Sequence, residues 1–226
     1  MAGRKRKKKR NRYRKHIIIW ILLLLVTAHF CGGKLQQTLH KMPSETDWEL
    51  IVVNKWNTIP DGYQTELTTL SNGKQVDSRI YPALQDLFDA MRADGIYPIV
   101  REGYRTTTDQ QSILDDKIKA YEQEGLSSLL AKKMASEWVA APGTSEHQLG
   151  IAVDINADKT KSTNDEVYTW LAEHAWEYGF ILRYPKDKEN VTGTGYEPWH
   201  YRYVGKEAAK EIWQEGCCLE EYVTQN

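Results

Sequence analysis

Two short segments of the chain carry side chains that could perform chemistry. In the first, His147 precedes the apolar run 151–155, and Gly150 can turn the chain between them. Because side chains alternate between the two faces of a strand, Asp154 would share a face with the small Ala152. That face leaves room for a bulky group. His147 and Asp154 could therefore bind one metal ion.

The second segment is Glu197-Pro198-Trp199-His200. Pro198 disfavours helix for the residue before it, and an ideal strand would point Glu197 and His200 to opposite faces. A local bend must therefore bring these two side chains together if both belong to one site. Two histidines and one carboxylate leave an open position on a tetrahedral zinc ion, which is the catalytic pattern. A further carboxylate would then serve a hydrolase as general base.

The residue types alone leave a simpler interpretation open. His147 would be a loop histidine and His200 a strand histidine with a satisfied hydrogen bond, while Asp154 and Glu197 would be ordinary polar residues. Of the six histidines in the chain, three lie before residue 48. The remaining one, His174, has no chemically suggestive neighbours and is interpreted as a surface or interface histidine.

The elements that must position these side chains follow from apolar periodicity. Helices are predicted at 82–93, at 107–139 with a break near Gly125, at 165–178 and at 206–215. Strands are predicted at 49–53, 97–101, 151–155, 180–184 and 199–204, and Asn72-Gly73 indicates a turn. Because helices and strands alternate without a clean βαβ rhythm, the predicted fold class is α+β.

Length and composition limit the alternatives. The chain has 226 residues, of which 41% are hydrophobic and 27% charged. These values fit one domain, or one domain with an appendage, and exclude a wholly disordered chain, a collagen and a polytopic membrane protein. Three cysteines cannot form a disulfide scaffold. The adjacent pair Cys217 and Cys218 lacks the spacing of metal ligands, and no structural disulfide is predicted.

The N-terminal region resembles a targeting segment. Residues 1–15 contain ten Lys or Arg and no acid, and a nearly unbroken apolar run follows at 17–31. This is the pattern of a secretory signal or a signal anchor, and an uncleaved anchor is favoured over a cleaved signal. The positive-inside rule then places the basic end in the cytoplasm and the rest outside, so no nucleic-acid partner is needed.

The resulting organisation has four parts. They are a basic cytoplasmic tail at 1–16, a signal anchor or signal peptide at 17–33, a polar spacer at 34–47 and one domain at 48–226. The expected location is the cell membrane, with a single span and the domain extracellular. The alternative is a secreted protein.

Both chemical segments match motifs of one enzyme family. S-E-H-Q-L-G-I-A-V-D resembles the S-x-H-x-x-G-x-A-x-D motif of the VanY-type D-alanyl-D-alanine carboxypeptidases, and E-P-W-H resembles their E-x-x-H motif. E-G-Y-R-T with Gln110 is similar to the family's S-G-Y-R-S-x-x-x-Q, with Glu102 in place of the serine. The segments 50–63 and Y-G-F-I-L-R-Y-P also fit, so the resemblance covers residues 48–215.

The resemblance implies a role for each matching residue. The fold would be a small, mainly antiparallel sheet flanked by helices, as in the related VanX dipeptidases and the hedgehog signalling domain. The implied zinc ligands are His147, Asp154 and His200, with Glu197 as base. Arg105 would stabilise the developing oxyanion or hold the substrate carboxylate. The implied substrate contacts are Gln110, Ser145 and Trp199, the last as a wall of the pocket.

The activity implied by the resemblance is a zinc-dependent D,D-carboxypeptidase that removes the terminal D-Ala from peptidoglycan stem pentapeptides. Such trimming would remove the D-Ala-D-Ala target of vancomycin-type glycopeptides. Two alternatives remain open at this point. One is an L,D-carboxypeptidase that acts on tetrapeptide stems, and the other is a non-catalytic cell-wall-binding module of the same fold.

Overall fold

Two small antiparallel sheets organise residues 48–225, the part of the chain that the computed structural model describes. A hairpin pairs β1 (Leu67–Thr69) with β2 (Gln75–Asp77). The second sheet contains β3 (Pro98–Glu102), β4 (Ala152–Ala157), β5 (Phe180–Leu182) and β6 (His200–Tyr203) in the order β3-β4-β6-β5. Every pair is antiparallel. The predicted α+β class with a small antiparallel sheet is confirmed.

Helices flank these sheets. They are α1 (Tyr81–Ala93), α2 (Thr107–Gln123), α3 (Ser128–Ala135), α4 (Asn164–His174), α5 (Glu189–Thr192), α6 (Lys206–Glu215) and α7 (Leu219–Gln225). Short 3-10 helices span Trp48–Leu50, Glu146–Leu149 and Ala175–Tyr178. The predicted long helix is confirmed as two helices, α2 and α3, and the predicted helix 165–178 ends in a 3-10 turn. The short α5 and the C-terminal α7 were not predicted.

The core forms where the apolar face of α1 packs with the sheet. Leu84, Leu87 and Met91 of α1 are fully buried, as their i, i+3, i+7 spacing predicts. Val153 and Ile155 of β4 join the same cluster. Asp154, between them, must point to the opposite face. The strand therefore inserts one face into the core and presents a carboxylate on the other.

The predicted strand at 49–53 is wrong. Its first residues form the 3-10 helix Trp48–Leu50, and Ile51 and Val53 are buried without entering a strand. Arg202 explains why the backbone needs no strand partner here, because its Nη2 donates to the carbonyls of Glu49 and Ile51, both at 2.9 Å. The guanidinium thus satisfies two backbone carbonyls that a neighbouring strand would otherwise pair.

The predictions for residues 1–47 lie outside the described residues. These are the basic tail, the anchor or signal segment at 17–33 and the spacer at 34–47. Between residues 48 and 225, no helix combines the length and apolar character needed to cross a membrane.

Candidate metal site

The pairing of β4 with β6 brings the predicted metal ligands together. Asp154 is the direct cross-strand partner of His200, and its Oδ1 lies 3.0 Å from Nδ1 of that ring. The 3-10 turn Glu146–Leu149 returns at Gly150, whose φ of 78° is left-handed, and carries His147 to the same place. His147 Nε2 lies 3.4 Å from Asp154 Oδ1. One ligand atom from each of the three residues falls within 4.8 Å of the others.

A backbone carbonyl sets the orientation of His147. Its Nδ1 lies 2.8 Å from the carbonyl oxygen of Gly103, which leaves Nε2 facing Asp154. A bulge between Val100 and Glu102 turns the end of β3 toward the site. Gly103 must be glycine, because a Cβ there would collide with the carbonyl of Gln75. Burial lowers the pKa of His147, which favours the neutral form of the ring that can coordinate a metal.

The bend required at Glu197 is present. The His200 amide donates to the Glu197 carbonyl at 3.1 Å, which closes a four-residue turn with Pro198 at its second position, where proline is favoured. The turn places Glu197 Oε2 3.9 Å from His200 Nδ1. Burial raises the pKa of Glu197. A carboxylate with this property, beside the three ligands but outside their group, suits proton transfer.

Arg105 faces the metal site across Asp154. Its Nη2 lies 3.6 Å from Asp154 Oδ2, and its backbone amide donates to the carbonyl of His147 at 3.1 Å. Its Nη1 donates to Gln110 Oε1 at 3.3 Å, while Gln110 Nε2 donates to the Ala140 carbonyl at 2.7 Å. Gln110 is buried and engaged at both ends of its amide. The geometry makes it a support for Arg105, and its predicted contact with substrate stays a prediction.

The two remaining predicted contacts lie beside the ligands. Ser145 is buried and immediately precedes the turn that carries His147. Trp199 is half-buried in the turn before β6, where its carbonyl accepts the amide of Ile155 at 2.9 Å. Both residues are therefore adjacent in sequence to a predicted ligand or to the segment that holds one.

Several functional neighbours were missed by sequence reasoning. Glu102 approaches Arg105, with its Oε2 3.9 Å from Nε, and it also accepts from Lys74 Nζ at 3.0 Å. The Tyr184 ring lies 4.8 Å from the His200 ring, centroid to centroid. Glu146, next to His147, is fully buried. Glu102 belongs to the E-G-Y-R-T motif and Glu146 to the S-E-H-Q-L-G-I-A-V-D motif. Their positions in these motifs do not indicate which residues they contact.

The charges of the site are matched to a cation. Burial opposes ionisation of Asp154, but the contacts with His147 and His200 lower its pKa well below the usual range. Burial would lower the pKa of His200, yet its interactions with Asp154 and Glu146 raise that pKa to about 9. A metal ion bound here would take the place of the proton on Nδ1. Two imidazoles and one carboxylate, held by the fold in one buried place, fit a zinc ion.

Known proteins share this architecture. Residues 73–206 match the family model described as VanY: D-alanyl-D-alanine carboxypeptidase. A D-alanyl-D-alanine carboxypeptidase from Enterococcus faecalis (strain ATCC 700802 / V583) is 58% identical over 186 residues, which cover 82% of this chain and 69% of the relative.

Two solved structures are similarly close. One is the vancomycin resistance D,D-pentapeptidase VanY from the VanB-type cassette in complex with Zn(II), a Glu-to-Ala variant that is 60% identical with a TM-score of 0.76. The match covers 78% of this chain and 99% of that one. The other, VanYB in complex with D-alanine-D-alanine, is 59% identical with a TM-score of 0.77 and covers 79% and 99%.

Proposed function

Because the chain belongs to the VanY family of D-alanyl-D-alanine carboxypeptidases, we propose that it is a zinc-dependent hydrolase that removes the terminal D-alanine from peptidoglycan stem pentapeptides. The observation that carries the proposal is the convergence of His147, Asp154 and His200 on one buried point with Glu197 beside it. Shortened stems lack the D-Ala-D-Ala end that glycopeptides bind, so the activity would contribute to vancomycin resistance.

The residues present fit a zinc ion. His147 Nε2, Asp154 Oδ1 and His200 Nδ1 would hold it, because these atoms face one another and the other ring nitrogen of His147 is engaged by Gly103. When bound, zinc supplies Lewis-acid polarisation of a carbonyl and makes water more acidic. Three protein ligands leave a position open for chemistry.

Glu197 moves the proton in the proposed mechanism. It takes a proton from the water that attacks the scissile carbonyl, and it then protonates the amine of the departing D-alanine. Its side chain is 16% exposed, and the burial that raises its pKa also makes it a better proton acceptor. Its place outside the three-ligand group keeps its carboxylate free for this task.

Arg105 supplies positive charge where the reaction develops negative charge. Its guanidinium is held by Gln110 and lies 3.6 Å from Asp154, so it can face either an oxyanion or the terminal carboxylate of the substrate. One such donor contributes roughly 10²- to 10³-fold to turnover. Ser145 and Trp199, beside the ligands, are the proposed neighbours of the bound peptide.

The substrate claim is tested by mass spectrometry of products. The full chain is offered a stem pentapeptide ending in D-Ala-D-Ala and, separately, the corresponding tetrapeptide, each with and without a chelator. We expect loss of one alanine from the pentapeptide, abolished by the chelator and restored by zinc. Loss from the tetrapeptide alone would assign the enzyme to the L,D class instead. Zinc binding without cleavage of either peptide would contradict the proposed activity and favour a binding module.

We further propose that residues 17–33 place the domain outside the cell, either as an uncleaved anchor or as a signal peptide. The basic tail followed by an apolar run supports this arrangement. In cells, an uncleaved chain should be found in the membrane fraction, where protease added outside should degrade the domain, and a chain cleaved after the signal should be found in the medium. A chain that stays in the cytosol and is protected from external protease would contradict the proposal.

A further inference from the structure

A fully buried carboxylate lies behind the metal site. Glu146 is 1% exposed, and its Oε1 accepts from Arg183 Nε and from Arg202 Nη1, both at 2.7 Å. Its other oxygen, Oε2, is buried and has no hydrogen-bond partner within residues 48–225. A buried carboxylate oxygen left without a donor is costly. A partner for this oxygen is therefore expected.

A second buried atom without a partner faces it. Nδ1 of His200 points to Asp154 at 3.0 Å, while Nε2 of the same ring is buried and has no hydrogen-bond partner among the described residues. The distance between His200 Nε2 and Glu146 Oε2 is 3.7 Å. Each of the two unsatisfied atoms is thus a natural partner of the other, across a gap slightly longer than a hydrogen bond.

The chemistry of a metal-binding imidazole connects them. A neutral histidine that offers Nδ1 to a metal carries its hydrogen on Nε2, and that hydrogen needs an acceptor. We propose that Glu146 is a positioning residue of the zinc site, whose Oε2 accepts the Nε2 hydrogen of His200 and so holds Nδ1 toward the metal. This inference rests on the proposed zinc-dependent function and adds a residue to it.

A purely structural role for Glu146 would leave one of its oxygens unexplained. Oε1 alone serves both arginines, and Arg183 has a second carboxylate, because its Nη1 and Nη2 donate to Glu220 of α7 at 2.8 and 2.6 Å. The two arginines are therefore balanced by two carboxylates, Glu146 and Glu220. Only Glu146 also faces a predicted metal ligand.

This difference provides a matched pair of variants for the test. Glu146→Gln and Glu220→Gln each remove one carboxylate charge from Arg183. Only the first alters the group opposite His200, and it also removes the carboxylate charge beside Arg202. Zinc affinity is measured by competition with a chromophoric chelator, and the thermal unfolding of the zinc-free protein is recorded in parallel. We expect Glu146→Gln to weaken zinc binding about 10- to 100-fold. Glu220→Gln should lower the melting temperature and leave zinc affinity unchanged.

Equal zinc affinities in the two variants would overturn the inference and reduce Glu146 to an ion-pair partner. If Glu146→Gln does not fold, the proposal is tested by a crystal structure of the native chain with zinc bound. There, Glu146 Oε2 and His200 Nε2 should approach to hydrogen-bond distance, and a separation that stays beyond 3.5 Å or so would overturn the proposal. A native chain that binds no zinc would contradict the proposed zinc-dependent function. That result differs from a native chain that binds zinc without this hydrogen bond, which would contradict only the role of Glu146.

Discussion

Replacing Glu197 with alanine is expected to lower turnover by orders of magnitude and leave zinc bound. General-base catalysis contributes roughly 10²- to 10⁴-fold to a rate, so kcat on the stem pentapeptide should fall by that factor. Zinc should remain because Glu197 Oε2 lies 3.9 Å from His200 Nδ1, outside the group of three converging ligand atoms. The measurement combines kcat and KM with the zinc content of the same preparation.

Two further variants separate proton transfer from loss of charge or shape. Glu197→Gln keeps the size of the side chain but cannot accept a proton, so it should be as inactive as the alanine variant. Glu173→Ala removes a carboxylate that is 67% exposed and should leave kcat unchanged. Retained activity in Glu197→Gln would contradict the role of Glu197 as base, and loss of zinc in Glu197→Ala would show that it is a ligand.

Replacing His147 with alanine should remove zinc and, with it, activity. The ring supplies one of the three converging ligand atoms and is almost fully buried. A solvent-exposed side chain would therefore not reach its place as a ligand. Metal catalysis contributes several kcal/mol to such reactions, and each 1.36 kcal/mol is a factor of ten. Activity at a fixed low zinc concentration should therefore fall by about 10³-fold or more. Zinc content by mass spectrometry and stem-peptide hydrolysis provide the readouts.

His174→Ala is the matched control for this variant. It also deletes one imidazole, but that ring is 40% exposed and contacts Glu177 of the 3-10 helix Ala175–Tyr178. Zinc content and activity should remain at the native level. The His147→Ala chain should still unfold cooperatively, because leaving the buried Gly103 carbonyl without its donor costs roughly 1–3 kcal/mol, which is less than the usual stability of a domain. A His147→Ala protein with full zinc and native activity would contradict the ligand assignment.

Much of the site could be predicted because its determinants are local. Alternation along β4 already placed Asp154 on the face opposite Val153 and Ile155, and Gly150 indicated the turn that carries His147. The four-residue segment ending at His200 could not form a regular strand with both side chains on one face. The need for a bend was therefore evident from residue types alone, and the family motifs completed the assignment.

Some local signals were misleading or silent. The apolar residues of 49–53 predicted a strand. Instead, two backbone carbonyls of this segment accept hydrogen bonds from the guanidinium of Arg202, about 150 residues away along the chain. Gln110 is predicted to contact substrate, and the structure adds that both ends of its amide bond to Arg105 and Ala140. In both cases a partner lies far along the chain, where the local sequence gives no sign of it.

The ligand types, their order and the α+β class follow from the sequence because helix and strand periodicity depend on neighbours a few residues apart. Which strands lie side by side depends on the whole chain. Only the tertiary structure pairs β4 with β6, sets Glu146 against His200 and balances its charge with two buried arginines. Hydrogen bonds and ion pairs of this kind are strong only after burial removes water. They therefore form when distant segments pack together, and the sequence of a single segment does not reveal them.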